Sequence, residues 1–180
     1  NFYSEGDLFN EHIFSSSIEP DTLLPLTSDV VFKEVLGQEE SKPILMGFLN
    51  DILDMNITSP DQITLLNPEL NPEYIDDKLS ILDIRVQLQD HTSIDVEIQV
   101  IDQHNIEPRA LYYVCRLCAD QLQKGDDYTQ LRPAIGLNLL CFNLYNDSEY
   151  FRSFILKDKK QTQNTQTILR FLFGTIQRCF

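Results

Sequence analysis

The sequence predicts a mixed α/β domain, a mixed β-sheet flanked by helices in the order α-β-β-β-α-β. Three observations lead there. Residues 82–88 and 94–100 alternate apolar and polar side chains strictly, the period of a half-buried strand. Apolar residues at helical spacing precede these segments and follow them. Residues 135–142 then form an apolar run with the length of a buried strand. A chain of 180 residues, 42% of them apolar, suits one domain with an ordinary core.

Taken in order, residues 1–24 are acidic, Ser-rich and without periodic pattern, and read as an N-terminal extension. Thr27, Ser28 and Asp29 form an N-cap cluster before a short helix over residues 30–36, with Gly37 at the position after its end. Ser41 can cap a second helix that tolerates Pro43 in its first turn. Its apolar face is Ile44, Leu45, Phe48, Leu49, Ile52 and Leu53. Residues 63–66 are a short strand between turn residues.

The two alternating segments then form a hairpin, since Asp90, His91, Thr92 and Ser93 between them are turn residues. Keeping apolar residues on one face places Leu88 opposite Ile94, with residues 89–93 as a five-residue loop. In that register Arg85 faces Glu97 and Asp83 faces Gln99. Asp83 and Glu97 become diagonal neighbours on the polar face, roughly 7–8 Å apart at the backbone. Glu107 and Pro108 open a helix to about Gln123, with Leu111, Val114, Cys115, Cys118 and Leu122 as its apolar side. Arg109, Tyr112, Tyr113, Arg116 and Asp120 line the other side. Gly125 follows its end, and residues 157–167 read as an exposed loop before a last apolar segment.

The formal charge of −14 is unevenly spread. Residues 1–29 hold six acids and no Lys or Arg, and residues 61–106 hold ten acids against two basic residues. The last fifty residues hold seven basic residues and three acids. The whole therefore argues against non-specific coating of nucleic acid, while any footprint for DNA should lie beyond Glu107. No apolar stretch is long enough for a membrane span. Four cysteines without a secretory signal suggest a reducing, cytoplasmic setting. Cys115 and Cys118 make a lone C-x-x-C without a second pair of ligands, and read as small apolar helix residues rather than a zinc site.

Phosphate-loop, dinucleotide-binding, nucleophile-elbow and H-E-x-x-H motifs are absent. What remains is an acid pair, Asp83 and Glu97, with Gln99 two residues on. Hard oxygen ligands of this kind suit Mg²⁺, which keeps several waters. The strand-borne E-x-Q puts Glu97 and Gln99 on one face.

Around this pair stand further segments in a consistent order over residues 25–145: L-T-S-D-V-V-F-K from Leu26 to Lys33, G-F-L-N-D-I-L from Gly47, Asp77-Lys78, L-D-I-R-V from Leu82, V-E-I-Q from Val96, R-A-L-Y-Y from Arg109 and G-D-D-Y from Gly125. In these segments the sequence resembles the PD-(D/E)xK nuclease superfamily, in its branch of recombination-promoting nucleases and transposases. The resemblance implies a restriction-endonuclease-like core and a Mg²⁺- or Mn²⁺-dependent DNA endonuclease of a mobile element. It implies that Asp83, Glu97 and the backbone carbonyl of Ile98 hold the metal, and that Gln99 stands where the superfamily usually has Lys. Gln can only hydrogen-bond and orient, which leaves electrostatic work to the metal, or to Lys33 or Arg85 if either reaches the site. Lys33, Arg109, Tyr113 and Arg116 are the candidates for contact with a phosphate backbone. A nuclease-fold remnant that binds DNA or protein without cleaving is the alternative, and a homodimer is compatible with either. The resemblance sets the domain at residues 25–156. Residues 157–180 depart from the acidic, Leu-rich continuation usual in the family, so an altered reading frame or truncation there is an expectation that the encoding DNA tests.

Overall fold

The computed structural model describes residues 29–67, 69–70, 80–81, 83–156 and 169–175. The expected extension at 1–24, the caps at Thr27 and Ser28, the Asp77-Lys78 segment and the loop at 157–167 lie outside them.

Helix α1 (Asp29–Leu36) and helix α2 (Lys42–Leu53) come first. Phe32 and Leu36 on α1, and Leu45, Leu49 and Leu53 on α2, are buried at the three-and-four spacing of one helical face. Ile44 is not part of that face and is exposed. Ser41 stands at the N-cap position without capping through its side chain. Asn50 secures the exit from α2: its side chain accepts from Ile57 N–H at 2.8 Å and donates to the Ile57 carbonyl at 2.9 Å.

Gly37 does follow α1, but its backbone is not in the left-handed region. The residue is small because the Gly37 N–H donates to the Lys33 carbonyl at 2.8 Å, and a Cβ there would stand 2.6 Å from that same oxygen. Gly37→Ala is therefore expected to lower stability by about 1–3 kcal/mol through overpacking, measurable by urea or thermal unfolding.

Strand β1 (Ile63–Leu66) is followed by β2 (Glu69–Leu70) and β3 (Ser80–Ile81), which pair with each other. The hairpin β4 (Ile84–Leu88) and β5 (Ser93–Gln99) leads into α3 (Ile106–Ala119) and β6 (Ala134–Leu140). Among the described residues, β7 (Phe151–Ile155) and β8 (Leu169–Thr175) join β1, β4, β5 and β6 in a six-stranded mixed sheet of order β1-β4-β5-β6-β8-β7. Strands β5, β6 and β8 run parallel, and the edges are antiparallel. The predicted mixed α/β architecture, restriction-endonuclease-like with helices on both sides of the sheet, is what the chain adopts. The apolar segment after residue 157 contains β8, which lies between β6 and β7 and fully buries Leu172.

Helices α1 and α2 cover one face of the sheet, against Ile84, Val86, Ile94, Val96, Ile98, Leu137 and Leu139. Helix α3 lies on the other, against Ala134, Leu140 and Phe173. Its buried stripe is Ile106, Ala110, Val114 and Leu117, one position back from the stripe expected around Leu111 and Cys115. Leu111 and Cys115 are exposed, so Cys115 is not a core residue. Arg109, Tyr113 and Arg116 are half-buried in this orientation. Among the described residues, no helix is long and apolar enough to cross a membrane.

Candidate active site

The hairpin register sets the geometry of the acid pair. The turn is shorter than expected: Leu88 N–H donates to the Thr92 carbonyl at 2.9 Å, and His91 N–H donates to the Leu88 carbonyl at 2.8 Å. His91 takes a left-handed conformation with φ 65°, and Asp90 Oδ1 accepts from Thr92 N–H at 2.9 Å. A three-residue connection of this kind, a turn followed by a left-handed residue, replaces the expected loop of five. Strand β5 is thereby displaced by two residues against β4, which keeps every side chain on its predicted face. Val86 pairs with Ile94 and Ile84 with Val96, and extending the ladder by one step brings Asp83 beside Glu97 rather than Gln99.

The two acids are consequently laced together. Asp83 N–H donates to Glu97 Oε1 at 3.1 Å, and Ile98 N–H donates to Asp83 Oδ2 at 2.8 Å. A strand residue's N–H and C=O leave the same edge, so the Ile98 carbonyl is directed to the Asp83 side as well. Each carboxylate also has a cation. Lys33 Nζ, from α1, lies 2.9 Å from Asp83 Oδ1, and Arg109 Nη2, from α3, lies 3.9 Å from Glu97 Oε2. The pair forms part of the wall of a cavity of about 360 Å³, whose lining also includes Gln99, Ile101, Arg109 and Tyr113. Tyr113 sits beneath Arg109, with the guanidinium carbon 5.9 Å from the ring centroid.

Alternation puts both acids on the polar face of the hairpin, and α3 packs against that same side of the sheet. Glu97 retains only 6% of its accessible surface and Asp95 only 2%. Burial, and then the charge of Asp83, push the Glu97 carboxyl up to about 7, against the pull of the Asp83 N–H, Arg109 and Lys33. Asp95 rises well above the usual carboxylate range, first through burial and then through Glu97 and Asp83. Its Oδ1 is buried without a hydrogen-bond partner. Burial also raises the Tyr113 hydroxyl above its ordinary value. Asp95 was not singled out in the sequence, although its position two residues before Glu97 in I-D-V-E-I-Q puts it on the same face.

Of the other candidates, Lys33 and Arg109 reach the acids, whereas Arg116 is not among the residues lining the cavity. Arg85 does not reach the site. It pairs with Asp120 at the end of α3, both side chains being largely buried. Gln99 accepts a hydrogen bond from Arg109 Nη2 and donates its amide to the Ile101 carbonyl at 2.8 Å.

Among the described residues, no three His, Cys, Asp or Glu side chains are grouped to hold a metal. The donor set on offer is two carboxylates and a backbone carbonyl, all hard oxygens, which fits Mg²⁺ or Mn²⁺ completed by water. The charge balance fits too. Burial, and then the charge of Asp83, disfavour the ionised Glu97, and a divalent cation held there would offset both.

Compared with known protein families, residues 26–177 match a model described as PD-(D/E)XK nuclease family transposase. No curated protein and no solved structure compared with the chain matches it.

Proposed function

From a chain that belongs to the PD-(D/E)XK nuclease family of transposases, we propose a Mg²⁺- or Mn²⁺-dependent DNA endonuclease of the recombination-promoting, mobile-element type. The observation that carries this reading is the laced pair of Asp83 and Glu97 at the wall of an open cavity. Asp83, Glu97 and the Ile98 carbonyl would hold the metal, which would supply an activated water and charge stabilisation at the scissile phosphate. The crossed hydrogen bonds from Asp83 N–H and Ile98 N–H fix one oxygen of each carboxylate. Asp83 Oδ1 and Glu97 Oε2 are the oxygens that face Lys33 and Arg109. Lys33 holds Asp83 in place at 2.9 Å, and Arg109 presents positive charge to the cavity where a phosphate would enter. Tyr113 offers a neutral donor and a ring face beside it.

The protein is expected to nick or linearise supercoiled plasmid with Mg²⁺ or Mn²⁺ and to stop on addition of EDTA. Cleavage that persists in EDTA would remove the metal from the reading. A cytoplasmic location and a homodimer belong to the same reading; light scattering decides the latter.

A second reading is a nuclease-fold domain that binds DNA or protein without cutting. What favours it is that Lys33 and Arg109 already pair with the two carboxylates, so the site is charge-satisfied in part without metal. It predicts DNA affinity that is independent of divalent cation, and no nicking.

A further inference from the structure

The motif position usually held by Lys carries Gln99, and its amide is occupied at both ends. Its oxygen accepts from Arg109 Nη2 and its nitrogen donates to the Ile101 carbonyl at 2.8 Å. The assignment of oxygen and nitrogen is forced, because a guanidinium only donates and a carbonyl only accepts. Gln99 in this arrangement has no donor left over except the second amide hydrogen, and it is tied to α3 on one side and to the loop after β5 on the other. The Arg109 nitrogen that it holds is also the one 3.9 Å from Glu97 Oε2.

Two cations stand at the acids, but they stand differently. Arg109 lines the cavity and Lys33 does not. Lys33 comes from α1 and pairs with Asp83, whereas Arg109 comes from α3, beside the open volume. Arg109 is also supported from below by the Tyr113 ring and is only about one-fifth exposed, so its head group is restrained rather than free to swing into solvent.

We infer that Gln99 is a positioning residue for Arg109, and that Arg109 carries the fixed positive charge over the substrate phosphate that a motif Lys would otherwise supply. This rests on the nuclease reading above. The division of labour follows from side-chain chemistry. A Lys on β5 would deliver its charge directly, whereas Gln delivers none and instead fixes the direction of a guanidinium borne by the neighbouring helix. The second amide contact, to Ile101, keeps Gln99 in the rotamer that meets Arg109 and ties the exposed Val100 and Ile101 to the cavity rim.

The test is a double-mutant cycle with a rescue, on the full chain. Arg109→Ala is expected to lower kcat for plasmid nicking on the order of 100-fold. It should also weaken binding of a fluorescent DNA oligonucleotide in EDTA about tenfold, with the salt slope reduced by about one phosphate contact. Gln99→Ala should move both readouts in the same direction but less, and should add nothing in the Arg109→Ala background. Gln99→Lys combined with Arg109→Ala should recover about tenfold of the nicking loss and about threefold of the binding loss, because it returns a cation to the same place. Thermal unfolding of each variant identifies any that fails to fold, and Arg109→Lys then takes the place of Arg109→Ala. Multiplying effects of Gln99→Ala and Arg109→Ala, or no recovery by Lys at 99, would overturn the assignment. If wild type proves unable to nick DNA with any divalent cation, the nuclease reading fails, and the oligonucleotide arm still decides whether Gln99 acts through Arg109.

Discussion

Asp83→Ala and Glu97→Ala are each expected to reduce metal-dependent DNA nicking at least about 1,000-fold. The size follows from what the pair would hold. A divalent metal contributes several kcal/mol of charge stabilisation at a phosphoryl oxygen, and each 1.36 kcal/mol is tenfold in rate. Neither acid can stand in for the other, since they lie on opposite arms of the hairpin and the N–H groups of Asp83 and Ile98 fix one oxygen of each, Glu97 Oε1 and Asp83 Oδ2. Asp95 is no substitute, being buried two residues before Glu97 on β5 and raised well above the usual carboxylate range. Conversion of supercoiled plasmid, timed on gels for wild type and both variants, gives the answer. Activity within tenfold of wild type in either variant would remove that residue from the site. The isosteric Glu97→Gln separates fold from function: it should abolish nicking while leaving the metal-free protein as stable at neutral pH or more so, because it removes a charge that burial disfavours.

The metal-free protein is expected to lose about 3 kcal/mol of stability as pH rises from about 4.5 to about 7. Glu97 moves from an ordinary 4.5 to about 7 on folding, so between those values the native state binds more protons than the unfolded chain. Stability from this group is fully present below its unfolded pKa and falls as pH climbs through the folded one. Asp95, shifted in the same direction, adds to the slope. Saturating Mg²⁺ or Mn²⁺ should reverse the loss, since the cation replaces the proton on Glu97. Urea unfolding at several pH values, with and without metal, measures both effects. A flat or rising metal-free profile across this window would contradict the burial of an under-compensated carboxylate.

How much of this was legible beforehand depended on whether a feature was local. Period-two alternation marked β4 and β5 and assigned every residue of the hairpin to its correct face. The register was not legible, because the apolar match of Leu88 with Ile94 outweighed a turn that depends on His91 accepting a left-handed backbone. The faces of α3 were misjudged by one position for a related reason. Leu111 and Cys115 look like core residues by type, while the stripe that packs on β6 and β8 includes the small Ala110. Strand β7 carries alternating exposed and half-buried residues at a sheet edge, with no strong apolar signal. The acid pair itself was found from spacing and resemblance together. The Lys33, Arg109 and Gln99 contacts were not, since they join α1, α3 and β5 across the fold, and no periodicity within one segment encodes them.

The most direct measurement is a calorimetric titration of Mn²⁺ and Mg²⁺ into metal-free wild type and into Asp83→Ala, at pH 7.5 where Glu97 is mostly ionised. A site of two carboxylates and a carbonyl predicts saturable binding of about one cation per chain in wild type, and loss of that binding in the variant. Equal binding by both proteins, or none by wild type, would contradict a metal centre at Asp83 and Glu97.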